Sequence, residues 1–391
     1  MSSRPPQIGI HLARGVRIGC IAAIAFGIIP VRAQDTSDDS LIPAILTADE
    51  QKRKVYLVSR DEDTVRFKEK RDSRATIGLP VNKLEDIYVR LDYDRGKVFS
   101  AAQKGEWRKA AQILLPVIKP HLDYLDIPGH EAVDAALRTG VLLFHEGMRV
   151  SELALEQEKR AEASRYFKGA RHIFRQCQEA QWWEGAEDAQ YRALLCTILL
   201  DELEEADDQL KFGSIPPADA RGAGTYWLAA AYREYIRGDT RAAATAATRS
   251  LLFQNKDLGT FPYALFLNGI CNEELEYWYR ARDAHFEAAR LFYRFPAGAA
   301  AMRHLIRLIE SGHIDEEEQQ AAQSIFFRGK DDIRERIQNF LDMTDQSVQY
   351  AEKSGQDDEQ SEAPPPDNPD QETNPTKEST KEQPNESNNE D

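Results

Sequence analysis

Residues Thr225 to Leu252 read TYWLAAAYREYIRGDTRAAATAATRSLL. Two alanine-rich segments with apolar side chains at helical spacing flank a Gly238-Asp239 step. Glycine takes the left-handed backbone that ends a helix at little cost. The stretch therefore predicts two short helices joined by a tight turn. Neither helix can bury its apolar face alone, so the pattern also predicts similar pairs on both sides.

Working outward, related steps occur at Gly105 to Ala110 (GEWRKA), Lys159 to Ala163 (KRAEA), Asp201 to Ala206 (DELEEA) and Glu276 to Ala281 (EYWYRA). The terminal alanines, with Ala243 of the central pair, lie 53, 43, 37 and 38 residues apart. A small side chain at this position lets a second helix approach the first. Gly140 and Gly269 sit within first-helix patterns, where the same argument applies.

This G-D-x-x-x-A-like turn resembles that of the tetratricopeptide repeat, and Trp227 matches the family's large aromatic residue near the start of the first helix. The family period is about 34 residues, so the wider spacings imply insertions. The resemblance implies a right-handed α-solenoid of five or six helical hairpins that binds a protein partner without catalysis. It further implies a concave groove lined by first helices, and register assigns Tyr191, Leu228, Tyr232, Tyr235, Tyr263, Phe266 and Glu273 to that groove. The segment His285 to Pro296 (HFEAARLFYRFP) and the helix after it resemble repeats of periplasmic outer-membrane-assembly and Tol-associated proteins. A partner in that machinery, outer-membrane-assembly or Tol/Exb-type, is the expectation that follows. A sixth pair is expected over Gly312 to Phe327, although Glu317 replaces the small residue.

The flanks have other textures. Arg4, Arg14 and Arg17 precede an apolar run, Ile18 to Ile29, and Val31-Arg32-Ala33 offers a small-x-small cleavage site. That is an export signal, too short for a membrane span of about 20 residues. Its uncleaved form, an N-terminal anchor, is the rival and the expected route of membrane contact. Residues 54–91 contain short β-branched and aromatic runs separated by charged turns, which predicts a small antiparallel β-module of three or four strands. Residues 353–391 carry 12 acidic and three basic side chains with several prolines and no aromatic residue. Such a tail lacks the apolar surface to offset ordering entropy. The expected division is 1–33 signal peptide, 34–52 linker, 53–92 β-module, 93–328 α-solenoid, 329–352 capping helix and 353–391 disordered acidic tail.

Composition narrows function. The formal net charge is −16 over 391 residues, and phosphate neutralisation needs clustered Lys and Arg, so nucleic acid is not an expected partner. The segment 52–74 is locally basic, and charged strand faces guarding sheet edges explain it better than an oligonucleotide-binding barrel. No P-loop, GxSxG or HExxH occurs. His145-Glu146 begins the last of these, but Arg149 stands where the second histidine belongs. The other mature-chain histidines, 121, 130, 172, 285, 304 and 313, show no ligand spacing. The acidic runs Asp201 to Asp208 and Glu316 to Glu318 lack the loop spacing and glycine of an EF-hand. No catalytic, metal or cofactor site is therefore expected. Cys177, Cys196 and Cys271 fall in helical patterns and read as buried small residues, with a Cys177–Cys196 bridge as the alternative. Trp182-Trp183 reads as packing, with a glycan or peptide platform as its alternative. A competing function class, an envelope-maintenance hydrolase or its regulator, would need a nucleophile–base motif that the sequence lacks. A ligand or glycan-binding module would rest on the two tryptophans.

Overall fold

The computed structural model describes residues 41–314, apart from 62, 213–214 and 254–256. The signal, the capping helix, the acidic tail and most of the sixth pair lie outside the described residues. The described chain is mainly helical, with a small antiparallel five-stranded sheet in front. No helix among the described residues is long and apolar enough to cross a membrane.

The sheet comprises β1 (Ile42–Ala48), β2 (Gln51–Asp61), β3 (Thr64–Lys68), β4 (Ile77–Pro80) and β5 (Asp86–Val89), in the spatial order β4-β3-β2-β1-β5. The linker expected over 34–52 is thus corrected: its second half forms β1 and opens β2. Pro43 lies outside the stretch Ala44–Thr47 that pairs with β5, so its missing N–H interrupts no ladder to that neighbour. Asp49 and Glu50 both take positive φ, the two-residue turn that matches strand twist. Ala44, Leu46, Val55, Leu57, Val65, Phe67, Ile87 and Val89 point to one buried face. Tyr124 and Ile127, from the segment after the second helix, complete that core. Arg60 on β2 forms an ion pair with Asp126, and the Ile87 amide donates to Pro128 O at 2.9 Å. Sheet and helices are thereby fastened together.

Eleven helices follow among the described residues: α1 (Arg95–Gln103), α2 (Trp107–Ile118), α3 (Ala132–Val150), α4 (Gln157–Gln178), α5 (Ala186–Leu199), α6 (Leu203–Phe212), α7 (Ala223–Ile236), α8 (Thr240–Phe253), α9 (Phe261–Glu274), α10 (Trp278–Leu291) and α11 (Pro296–Glu310). Consecutive helices pair from α1 to α6 and from α7 to α11, α5 packs directly on α7, and α7 also meets α9 as α9 meets α11.

One helix ending recurs. Gly105, Asp201, Gly238 and Glu276 have φ of 74°, 60°, 81° and 61°. The next residue in each case donates its amide five residues back: Glu106 to Ala101 O, Glu202 to Thr197 O, Asp239 to Glu234 O and Tyr277 to Asn272 O, at 2.9, 3.2, 3.0 and 2.8 Å. This is the Schellman closure, which satisfies carbonyls that the helix end leaves free. Five residues after each positive-φ position stand Ala110, Ala206, Ala243 and Ala281, all with no exposed surface. The glycines of first helices also act as expected: a Cβ on Gly140 would lie 2.5 Å from the Phe174 ring of α4, and one on Gly269 would lie 2.5 Å from the His285 ring of α10.

Neighbouring pairs are joined by buried polar groups. Arg192 donates to Asp188 at 2.8 Å and to Asp257 at 2.6 Å. Thr225 donates to Asp188 at 2.9 Å, and Thr260 to Asp257 at 2.6 Å. These side chains come from α5, α7 and the turn before α9, so each buried charge has partners on another element. Cys177, Cys196 and Cys271 are buried and free, so the bridge considered for the first two is absent. Burial pushes all three thiols up, to about 12.

Candidate functional site

The inner face of the helical pairs is not an open groove. Between α3 and α4 the chain makes a left-handed turn at Glu152, Leu153 and Ala154, with φ of 48°, 72° and 61°. A left-handed residue other than glycine costs roughly 1–2 kcal/mol, so three in a row need compensation. Leu153 and Ala154 are buried. Tyr232 of α7 donates its hydroxyl to Leu153 O at 3.2 Å. Arg160 donates to Ala154 O and Leu155 O, both at 3.2 Å, while also holding Asp201. The turn therefore enters the protein interior and is bonded there from α4 and α7.

Distant helices close the same space. His145 of α3 shares a 2.6 Å hydrogen bond with the Tyr263 hydroxyl of α9. Phe144 stands edge-on to Tyr263, and Trp107 and His145 each lie 5.3 Å from the Phe295 ring. His145 is buried, which holds its imidazole down at about 3, with the nearby Arg192 charge adding to the effect. Burial likewise pushes the Tyr232 and Tyr263 phenols up.

These contacts correct most of the groove assignment. Leu228, Tyr232 and Tyr263 have no exposed surface, and Phe266 has 1%. They are core residues. A side chain already surrounded by its own chain has no face to offer a partner. Tyr191 is 7% exposed and donates to Glu187 at 2.8 Å, yet it borders a cleft of about 420 Å³ with Gln181, Gln190 and Tyr226. Tyr235 is half-buried, its hydroxyl donating to Glu274 at 2.8 Å. Of the tryptophan pair, Trp183 packs against the helical core beneath the Arg221 guanidinium, whereas Trp182 is 38% exposed and donates its indole N–H to Leu125 O at 3.0 Å.

Glu273 has a different setting. It stands near the end of α9, where His285 of α10 and His304 of α11 meet it. His285 Nε2 lies 2.5 Å from Glu273 Oε1, and His304 Nδ1 lies 3.0 and 3.2 Å from the two carboxylate oxygens. One donor atom from each residue falls within 4.8 Å of the others. The two imidazoles stack with centroids 5.2 Å apart, and Phe266 walls both at 5.6 and 5.5 Å. His285 is fully buried, while Glu273 and His304 keep 17% and 16% of their side-chain surface. Burial alone would raise the Glu273 carboxyl, but its two histidine contacts outweigh that and hold it down at about 2. Burial also lowers His285, against the pull of Glu273. The carboxylate is ionised and the buried imidazole neutral at physiological pH. Sequence reasoning missed this cluster because its members come from three helices and share no local spacing.

On the outside, α8, α9 and α10 bound a cleft of about 550 Å³. Arg241, Thr245 and Thr248 line one wall, Asn268 and Asn272 the floor, and Tyr277, Arg280 and Glu287 the other wall. Tyr277 is 45% exposed. No family model, curated protein or solved structure matches the chain.

Proposed function

We propose that this chain is a non-enzymatic interaction scaffold of a bacterial cell envelope, built as a right-handed solenoid of tetratricopeptide-like hairpins that binds a protein partner. The recurrence of one helix ending, with a buried alanine five residues later in each of four units, carries the reading. A stack of like units presents like side chains in rows, which suits an extended segment or a helix of a partner. The partner docks in the outer cleft between α8 and α10, because the inner face is filled by the chain itself. Exposed Tyr277 supplies an amphipathic anchor there, and Arg241, Arg280 and Glu287 supply charge selection. The partner belongs to the outer-membrane-assembly or Tol/Exb-type machinery, as the resemblance of the segment after Ala281 implies.

A photocrosslinking residue at Thr248 or Tyr277 tests this in cells. The reading predicts a discrete protein adduct from both positions that Arg280→Glu abolishes while leaving the circular dichroism unchanged. Adducts arising solely from the sheet face, or a cleft adduct indifferent to Arg280→Glu, would contradict it. Export predicts a mature chain that begins at Gln34 in the periplasmic fraction.

A further inference from the structure

Among the described residues, neither ring nitrogen of fully buried His285 makes a hydrogen bond. Its Nε2 stands 2.5 Å from a Glu273 oxygen, outside regular hydrogen-bond geometry. Buried polar groups are nearly always satisfied, and an exception calls for an explanation such as an ion. Here the unsatisfied nitrogen points into a cluster whose other two members are a carboxylate and a second imidazole.

We propose that Glu273, His285 and His304 bind a divalent transition-metal ion of the zinc class, which clasps α9, α10 and α11 together. Two imidazoles and one carboxylate suit zinc, copper, nickel or iron and disfavour magnesium and calcium, which take oxygen ligands. Ligands about 2.0–2.1 Å from zinc in a tetrahedron stand about 3.3 Å apart. The His304 distances of 3.0 and 3.2 Å already match, and the His285 contact must lengthen by under about 1 Å. The edge at Glu273 and His304, where each keeps about a sixth of its side-chain surface, gives the ion an entry path and leaves the fourth position to water. Among the described residues, the three side chains line neither of the clefts described above, and the ion is assigned a structural role, holding three helices. Gly269 fixes the depth of His285, because any Cβ there would strike the ring. The site stands on its own and does not depend on the scaffold reading.

The test uses the full chain without a histidine tag, stripped with chelator, then titrated with zinc chloride by calorimetry and scanned for thermal unfolding. One zinc per chain is expected. At free zinc a hundredfold above Kd, the folded-to-unfolded ratio rises about a hundredfold, seen as a higher Tm. Removing a mere supporting residue around a metal weakens binding 10–100-fold, so Glu273→Gln and His304→Ala should each weaken it at least about tenfold. His304 is at the surface edge, and His304→Gln serves as the variant that keeps the fold, checked by circular dichroism. Bound cobalt should give the visible bands of a nitrogen and oxygen tetrahedral site. Substoichiometric zinc, affinity unchanged in the Glu273 and His304 variants, or thiolate charge-transfer bands with cobalt would each overturn the proposal.

Discussion

At the residue scale, the positions that end the first helix in four of the pairs share a backbone but not a residue type. Gly105 and Gly238 take the left-handed conformation at little cost, whereas Asp201 and Glu276 take it under strain of order 1–3 kcal/mol. Glu276 is exposed. Glu276→Gly should therefore stabilise the protein by about 0.5–1 kcal/mol, after allowing for the greater freedom of glycine in the unfolded chain. A higher midpoint in urea denaturation at unchanged slope is the expected result. Asp201→Gly should do the reverse despite the same φ, because Asp201 holds the guanidinium of Arg160, which is 5% exposed. Loss of that partner leaves a buried charge and should cost about 2–3 kcal/mol, less than for a fully buried pair since Asp201 is 30% exposed. The alanine spacing made these turns legible in the sequence, since a small residue five positions on is a local signal. The donor cluster was not legible, because Glu273, His285 and His304 become neighbours only when three helices stack.

At the scale of elements, helix pairing was readable and strand boundaries were less so. Periodicity and turn glycines located the pairs, and Gly140 and Gly269 fall where aromatic rings of the next helix need room. Gly269→Ala should cost about 1–3 kcal/mol through the clash with His285. Urea denaturation checks this, and wild-type stability would show that α10 can shift freely. β1 escaped notice because Pro43 and the polar run before it read as linker, while its ladders to β2 and β5 are tertiary facts. The turn between α3 and α4 was also hidden. Nothing in Ser151-Glu152-Leu153-Ala154 signals a left-handed path; the carbonyl bonds from Tyr232 and Arg160 sustain it.

At the scale of the whole molecule, buried neutral histidines tie stability to pH. Burial holds His121 down at about 4 and His130 and His145 at about 3. In the unfolded chain each binds a proton near pH 6.5. Below that pH the unfolded state takes up more protons, so stability falls as pH drops from about 6.5 toward 4. Each group contributes up to about 1.4 kcal/mol per pH unit over that window. Denaturation midpoints across the range should show this slope, and His145→Phe should flatten it; a level profile would show that the three rings are hydrated. The same buried aromatics decide what the molecule can bind. Helical register alone could not separate an inner groove from an inner core, since both place tyrosines on first helices. The closing contacts, Tyr232 to Leu153 and Tyr263 to His145, are 79 and 118 residues apart in sequence. Equilibrium denaturation of Tyr232→Ala tests that closure most directly. A filled inner face predicts a loss of about 3–5 kcal/mol, as for other large buried aromatics, with Tyr277→Ala within about 0.5 kcal/mol of the unmodified protein. Wild-type stability in Tyr232→Ala would contradict it and return that side chain to an open groove.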